Sequence, residues 1–96
     1  MTSYRYHEAA EAEYLGAIRW YEADNARAAE GFVRAVEDAI RKILAMPHAY
    51  PPHGRRHRAF VLKDYSYYLV YRVEAAEVVI VAVPHDARRP GYWKGR

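Results

Sequence analysis

The sequence contains no cysteine and no long apolar run. The absence of cysteine excludes disulfide bonds and thiolate metal sites, and it fits a reducing compartment. No stretch approaches the about eighteen consecutive apolar residues that mark a membrane-spanning helix. The first fourteen residues carry acidic side chains where a secretory signal needs an apolar segment. We therefore expect no export signal and a cytoplasmic location.

The motifs of several enzyme classes are also missing. The chain has no glycine-rich phosphate-binding loop and neither a Ser-His-Asp nor a Cys-His nucleophile signature, so ATP-driven or hydrolase chemistry has no support. His53 and His57 have the spacing of a metal-ligand pair, but they lie in a loop beside arginines, with no thiolate or nearby carboxylate. We therefore expect no metal site and no cofactor.

The length and the charge distribution are informative. The 96 residues, 52% of them hydrophobic, suffice for one core, and we expect a single domain spanning 1–96. Residues 1–49 carry six basic and eight acidic side chains, whereas residues 50–96 carry nine basic and four acidic ones. This asymmetry favours an anionic partner, either nucleic acid or an acidic protein segment. A basic surface without a function would explain the same numbers.

Strand patterns dominate the second half of the chain. Residues 67–74 alternate between two kinds of side chain, as in a strand with two different faces, and residues 78–83 form a continuous apolar run typical of a strand covered on both sides. Residues 58–62 make a plausible third strand. We predict a three-stranded antiparallel meander, with a further short strand at residues 3–7.

Two helices are expected between the first strand and the meander. Apolar side chains recur with helical spacing over residues 8–24 and again, more clearly, over residues 26–45. Their short connection predicts an antiparallel hairpin, and its apolar stripes need a sheet face to cover. The sequence thus predicts an α+β fold of order β-α-α-β-β-β, with the hairpin on one face of an antiparallel sheet. The predicted core contains Phe32, Val36, Ile40, Ile43, Leu69, Tyr71 and Val73.

Three segments carry a family resemblance. A helix containing IRWYE, the turn MPHAYPPHG, and the segment YYLVYRVE…VVIVAVPHDARRPGYW resemble the RelE/ParE superfamily of type II toxin–antitoxin toxins. The resemblance covers nearly the whole chain and is closest to the ParE-like proteins labelled plasmid stabilisation proteins. It implies a growth-inhibiting toxin neutralised by a cognate antitoxin whose C-terminal segment wraps around it, and a toxin–antitoxin hetero-oligomer is a possible assembly.

The superfamily divides by target. RelE-type members cleave mRNA on the ribosome with basic side chains and a C-terminal tyrosine, whereas ParE-type members inhibit DNA gyrase. In this chain the nuclease pattern matches Tyr92 and Arg88, but its two strand lysines fall near Ala59 and Val61, and an arginine is replaced by Tyr68. We therefore favour a ParE-like toxin acting on gyrase. A ribosome-dependent mRNA endonuclease is the alternative, and an inactive toxin-fold partner or regulator is the second alternative.

The candidate site residues follow from these alternatives. If the protein is a ribonuclease, proton transfer and phosphate stabilisation fall to His85, Arg88 and Tyr92. For His85 we favour a hydrogen-bonded structural histidine at a strand end, and Tyr92 and Trp93 can belong to a tail that packs on the sheet edge. The expected partner-binding residues are Arg55, Arg56, Arg58, Tyr68, Arg72, Arg88, Arg89 and Trp93.

Overall fold

The computed structural model describes residues 3–96 and contains two helices and four strands. The elements are β1 (Tyr4–Tyr6), α1 (Glu8–Asp24), α2 (Ala26–Ala45), β2 (Arg58–Val61), β3 (Tyr68–Val73) and β4 (Val78–Ala82). The predicted α+β class and the predicted order of elements are confirmed. Both helices have the predicted bounds, and each strand lies inside its predicted range.

The sheet has the strand order β1-β4-β3-β2. Strands β2, β3 and β4 form the predicted antiparallel meander, but β1 pairs with β4 in parallel, so the sheet is mixed where we expected antiparallel pairing throughout. The reason is that β4 is buried along its whole length and takes a central position. Strand β1 adds to its free side, where the backbone N–H of His7 donates to the Ile80 carbonyl at 2.8 Å.

The helix ends are set by two side chains. The Nδ1 atom of His7 accepts a hydrogen bond from the Ala9 N–H at 3.1 Å and caps α1. Asn25 ends α1, and its Oδ1 accepts from the Ala28 N–H at 2.8 Å to begin α2. One capping residue therefore serves both helices, which makes the connection as short as an antiparallel hairpin allows.

The helical hairpin covers one face of the sheet, called here the helix face. Its buried side chains are Ala10, Ala17, Phe32, Val36, Ala39, Ile40, Ile43, Leu62, Leu69, Tyr71, Val78, Ile80 and Val83. The predicted core residues are among them, except Val73, which is partly buried and packs against the cluster. The Phe32 ring stacks on Tyr21 at 4.9 Å between centroids. This face is therefore a dense apolar and aromatic core.

Helix α2 also makes contacts outside the apolar core. On its exposed side, Asp38 pairs with Lys42 at 3.2 Å and with Arg41 at 2.7 Å. The helix is closely approached at Gly31 by a tyrosine side chain. A Cβ atom at this position would lie 2.8 Å from the hydroxyl oxygen of Tyr65.

The opposite side of the sheet, called here the tail face, is covered by residues 84–96. Trp93 packs there with four buried side chains, namely Val70, Val79, Val81 and Ala82. Tyr68 and Tyr92 are partly buried against the same cluster. Strand β4 therefore contributes apolar side chains to both faces. Across residues 3–96, neither helix has the length and apolar character needed to cross a membrane.

Candidate functional site

A carboxylate on α1 ties the tail to the sheet. Glu13 Oε1 accepts hydrogen bonds from the Val83 N–H at 2.9 Å and from the Tyr92 hydroxyl at 3.1 Å, and its Oε2 lies 2.8 Å from Nη2 of Arg96. Partial burial acts to raise the pKa of Glu13, but hydrogen bonds from Arg96 and Val83 outweigh it and hold the pKa below its usual value. Glu13 is therefore a charged acceptor at the base of the tail, and we call this group the Glu13 clasp.

Two further contacts of Arg96 and Arg72 hold the tail in place. Nη1 of Arg96 donates to the Val81 carbonyl at 3.0 Å, and Nη1 of Arg72 donates to the main-chain oxygen of Arg96 at 2.8 Å. Because both are charge-assisted bonds in a partly buried setting, they are stronger than neutral ones. The tail thus has one defined position on the sheet.

Tyr92 lies between the clasp and a cation. The guanidinium carbon of Arg88 lies 3.6 Å from the Tyr92 ring centroid. Burial, followed by the charge of Glu13, raises the pKa of Tyr92 above its usual value. At neutral pH the hydroxyl therefore stays protonated and donates a hydrogen bond to Glu13, which makes it a poor general base.

The structure brings Arg88 and Tyr92 together but gives His85 a different setting. Nδ1 of His85 accepts from the Ala87 N–H at 3.0 Å, and the ring lies edge-on to Tyr67 at 5.0 Å between centroids. Among the contacts of the described residues, none joins the His85 side chain to Tyr92. The arrangement matches the structural alternative considered for this histidine.

The residues expected to bind a partner fall into two groups. Arg55, Arg56 and Arg89 are exposed, and the described residues provide no ion-pair partner for them. Arg88 is about half exposed and lies 3.7 Å from Glu13. These four arginines form the exposed basic surface of the loop and tail.

The other expected partner-binding residues make internal contacts. Arg58 donates from Nη1 to the Tyr50 carbonyl at 2.8 Å, and the Arg72 side chain is only 14% exposed. Trp93 is 1% exposed, with its ring 5.3 Å from His53 and 6.2 Å from Tyr68. Trp93 therefore belongs to a tail that packs on the sheet, as the structural alternative supposed. The Trp93 side chain packs on the face of the sheet and not on its edge.

An apolar groove lies beside β2, which is an edge strand. Its volume is about 610 Å³, and it is lined by Tyr50, Pro51, His53, Ala59, Phe60, Val61, Tyr68 and Asp86. Ala59, Val61 and Tyr68 are the positions at which the nuclease pattern requires basic side chains. The groove therefore offers aromatic and aliphatic surface where a nuclease would hold phosphate.

Sequence reasoning missed Glu13 and Arg96. A signal for Glu13 exists, because it lies three residues after Ala10 and four before Ala17, and both alanines are buried. A carboxylate on the buried face of a helix needs a partner. No comparable signal marks Arg96, whose partners lie on α1, β3 and β4.

Comparison with known proteins identifies the family of the chain. A family model described as the ParE toxin of the type II toxin–antitoxin system parDE matches residues 4–90. The chain belongs to this family. It is therefore the toxin component of a type II toxin–antitoxin module, as the resemblance predicted, and the family implies an antitoxin partner. No curated protein has a sequence that matches this chain.

Solved structures show the same fold. Nine chains match, among them one from the structure titled "Chromosomal ParDE TA system from P. aeruginosa". That match has a TM-score of 0.62 at 18% identity and covers 88% of this chain and 96% of the other.

Among residues 3–96, no group of three or more His, Cys, Asp or Glu side chains is arranged to hold a metal ion.

Proposed function

We propose that this toxin inhibits growth by binding DNA gyrase and not by cleaving mRNA. The observation that carries the proposal is the groove beside β2, which presents Ala59, Val61 and Tyr68 where a ribonuclease of the superfamily needs basic residues. RNA cleavage needs cations that stabilise a phosphorane-like transition state, and uncharged side chains cannot supply them.

The state of the tail supports the same conclusion. Cleavage by 2′-hydroxyl attack needs a base and an acid close to the scissile phosphate. Tyr92 is hydrogen-bonded to the carboxylate of Glu13, which would repel a phosphate group, and His85 forms part of a turn. A binding toxin needs no such proton transfer, because its effect rests on surface complementarity alone.

We further propose that the exposed basic surface binds an acidic segment of the cognate antitoxin in the cytoplasm. This surface consists of Arg55, Arg56, Arg88 and Arg89. Arg58 and Arg72 contribute indirectly, because their hydrogen bonds hold the loop and the tail in place. Charge pairs at an exposed surface are screened over roughly 8–10 Å, so the association rate should fall as salt rises.

The experiment induces wild type and Tyr92→Phe in cells without antitoxin. Messenger RNA cleavage on the ribosome is followed together with DNA breaks and the SOS response. We expect DNA damage with both proteins and no codon-positioned mRNA cleavage, because the phenylalanine keeps the ring and loses only the hydroxyl. mRNA cleavage that disappears in Tyr92→Phe, without DNA damage, would show the nuclease alternative to be correct.

Two controls make the result interpretable. Co-expression of the antitoxin must restore growth, which shows that the effect belongs to the toxin. Far-ultraviolet circular dichroism of Tyr92→Phe must match that of wild type, which shows that the fold is intact. Growth that is unaffected by wild type would support the second alternative, an inactive partner or regulator.

A further inference from the structure

Three buried side-chain nitrogens have no hydrogen-bond partner within the described residues. They are Nε2 of His57, Nε of Arg72 and Nε1 of Trp93. The arginine and tryptophan atoms can only donate, and His57 donates in the tautomer that carries its hydrogen on Nε2. Buried polar groups are nearly always paired in folded proteins. Three unpaired donors therefore indicate a partner that the chain itself does not provide.

All three side chains lie on the tail face. The antiparallel register sets Arg58 opposite Tyr71, so His57 falls opposite Arg72 on the other face of the same two strands. Trp93 packs on this face against Val70. Burial, followed by the charge of Arg72, lowers the pKa of His57, which is consistent with their proximity. The three side chains thus come from the loop before β2, from β3 and from the tail, and they lie on one face of the sheet.

The region is bordered by basic side chains. Two cavities meet there and share His53, Gly54 and Lys94. The larger, of about 410 Å³, is also lined by Arg55, Arg56 and His57, and the smaller, of about 200 Å³, by Pro90, Gly91 and Trp93. No acidic side chain lines either cavity. The charged side chains that line the cavities, Arg55, Arg56 and Lys94, are all basic.

We propose that this region is a binding site for a phosphate-class oxyanion. A tetrahedral oxyanion offers several acceptor oxygens at once, which suits donors that are carried by different segments of the chain on one face. A buried water could satisfy the same nitrogens but would not explain the surrounding arginines and lysine. In the proposed complex His57 and Trp93, which line the cavities, donate from inside, while Arg56 and Lys94 supply charge from the rim. Arg72 lines neither cavity and adds positive charge near His57.

The site goes beyond the proposed function, because it requires neither antitoxin nor gyrase. Its ligand is either free phosphate or the phosphate monoester of a nucleotide. The two sources share the oxyanion and differ in what is attached to it. The apolar groove beside β2 also contains His53, so an attached base would find aromatic surface next to the site.

The test uses the indole N–H signals of the isotope-labelled full chain in two-dimensional NMR. Inorganic phosphate is titrated against sodium chloride at constant ionic strength. We expect a saturable shift of the Trp93 Nε1–H signal at millimolar phosphate. Trp20 is the internal control, because it is 64% exposed on α1 and its signal should stay in place.

Two variants compare a rim lysine with a matched lysine elsewhere. Lys94→Gln removes a charge that borders both cavities, whereas Lys63→Gln removes an exposed lysine in the turn before β3. We expect Lys94→Gln to weaken phosphate binding at least about fivefold, as loss of a charge-assisted contact does, and Lys63→Gln to leave it unchanged. Both positions are exposed, so neither change should affect folding.

A second titration with adenosine monophosphate separates the two sources of the ligand. Tighter binding than that of inorganic phosphate identifies a nucleotide phosphate as the ligand, and equal or weaker binding identifies free phosphate. The proposal is overturned if neither compound moves the Trp93 signal, or if Trp20 and Trp93 shift in parallel. It is overturned as well if the two lysine variants weaken binding equally, because that result would show general charge attraction.

Discussion

The two faces of the sheet differ in how their side chains are satisfied. On the helix face, apolar and aromatic side chains such as Phe32 and Ile43 fill the space between hairpin and strands. Tyr71 is also buried there, and its hydroxyl donates to the Pro47 carbonyl at 2.7 Å. On the tail face, Arg72 and His57 lie among the apolar side chains, and part of their hydrogen-bonding capacity is unused.

This difference indicates which face of the sheet stabilises the fold and which face binds partners. Apolar burial contributes most of the free energy of folding, and the helix face provides most of it. Buried polar groups that lack partners destabilise a protein, so a face that retains them is better explained by binding than by stability. We therefore assign the fold to the helix face and the recognition chemistry to the tail face.

The largest effect on stability is expected from a substitution that creates a cavity in the helix face. Phe32→Ala removes a fully buried ring that stacks on Tyr21. The free energy of unfolding should fall by about 3–5 kcal/mol, measured by urea denaturation. A loss below about 1 kcal/mol would show that this face does not carry the stability of the domain.

A smaller loss is expected at the Glu13 clasp. Glu13→Gln keeps the size of the side chain but removes the charge that pairs with Arg96. We expect the free energy of unfolding to fall by about 1–3 kcal/mol, because the guanidinium is left in a partly buried place with a weaker acceptor. Glu22→Gln, at an exposed position on the same helix, is the matched control and should change stability by less than about 0.5 kcal/mol.

The clasp also predicts a pH dependence. The folded state lowers the pKa of Glu13 below its usual value, mainly because the Arg96 and Val83 hydrogen bonds favour the charged form against the effect of burial. The resulting stabilisation is complete above the unfolded pKa of about 4.3 and is lost as the pH falls through the lower folded value. The melting temperatures of wild type and Glu13→Gln should therefore differ at neutral pH and approach each other as the pH becomes acidic. A constant difference over this range would contradict the assigned charge of Glu13.

Periodicity explains which parts of the fold could be predicted. The stripe of α2 and the alternation along β3 are long enough to define which side faces the core, and both were predicted correctly. The parallel direction of β1 could not be read from a strand of three residues, because its pairing is fixed by the distant Val78 and Ile80.

The candidate site was less predictable, because it depends on contacts between distant segments. The arginines near Gly54 and in the tail are recognisable from composition, but composition does not tell an exposed arginine such as Arg89 from a partly buried one such as Arg72. The Glu13 clasp joins residues up to 83 positions apart. Only the folded chain shows that the tail covers the sheet.

The assignment of recognition to the tail side is tested most directly by combining Arg55→Ala, Arg56→Ala and Arg89→Ala in one variant. These side chains are exposed, so the free energy of unfolding should stay within about 0.5 kcal/mol of wild type. Affinity for the cognate antitoxin, measured by calorimetry at two salt concentrations, should fall at least about tenfold and become less sensitive to salt. Unchanged affinity with unchanged salt dependence, or a loss of stability that parallels the loss of binding, would contradict this account.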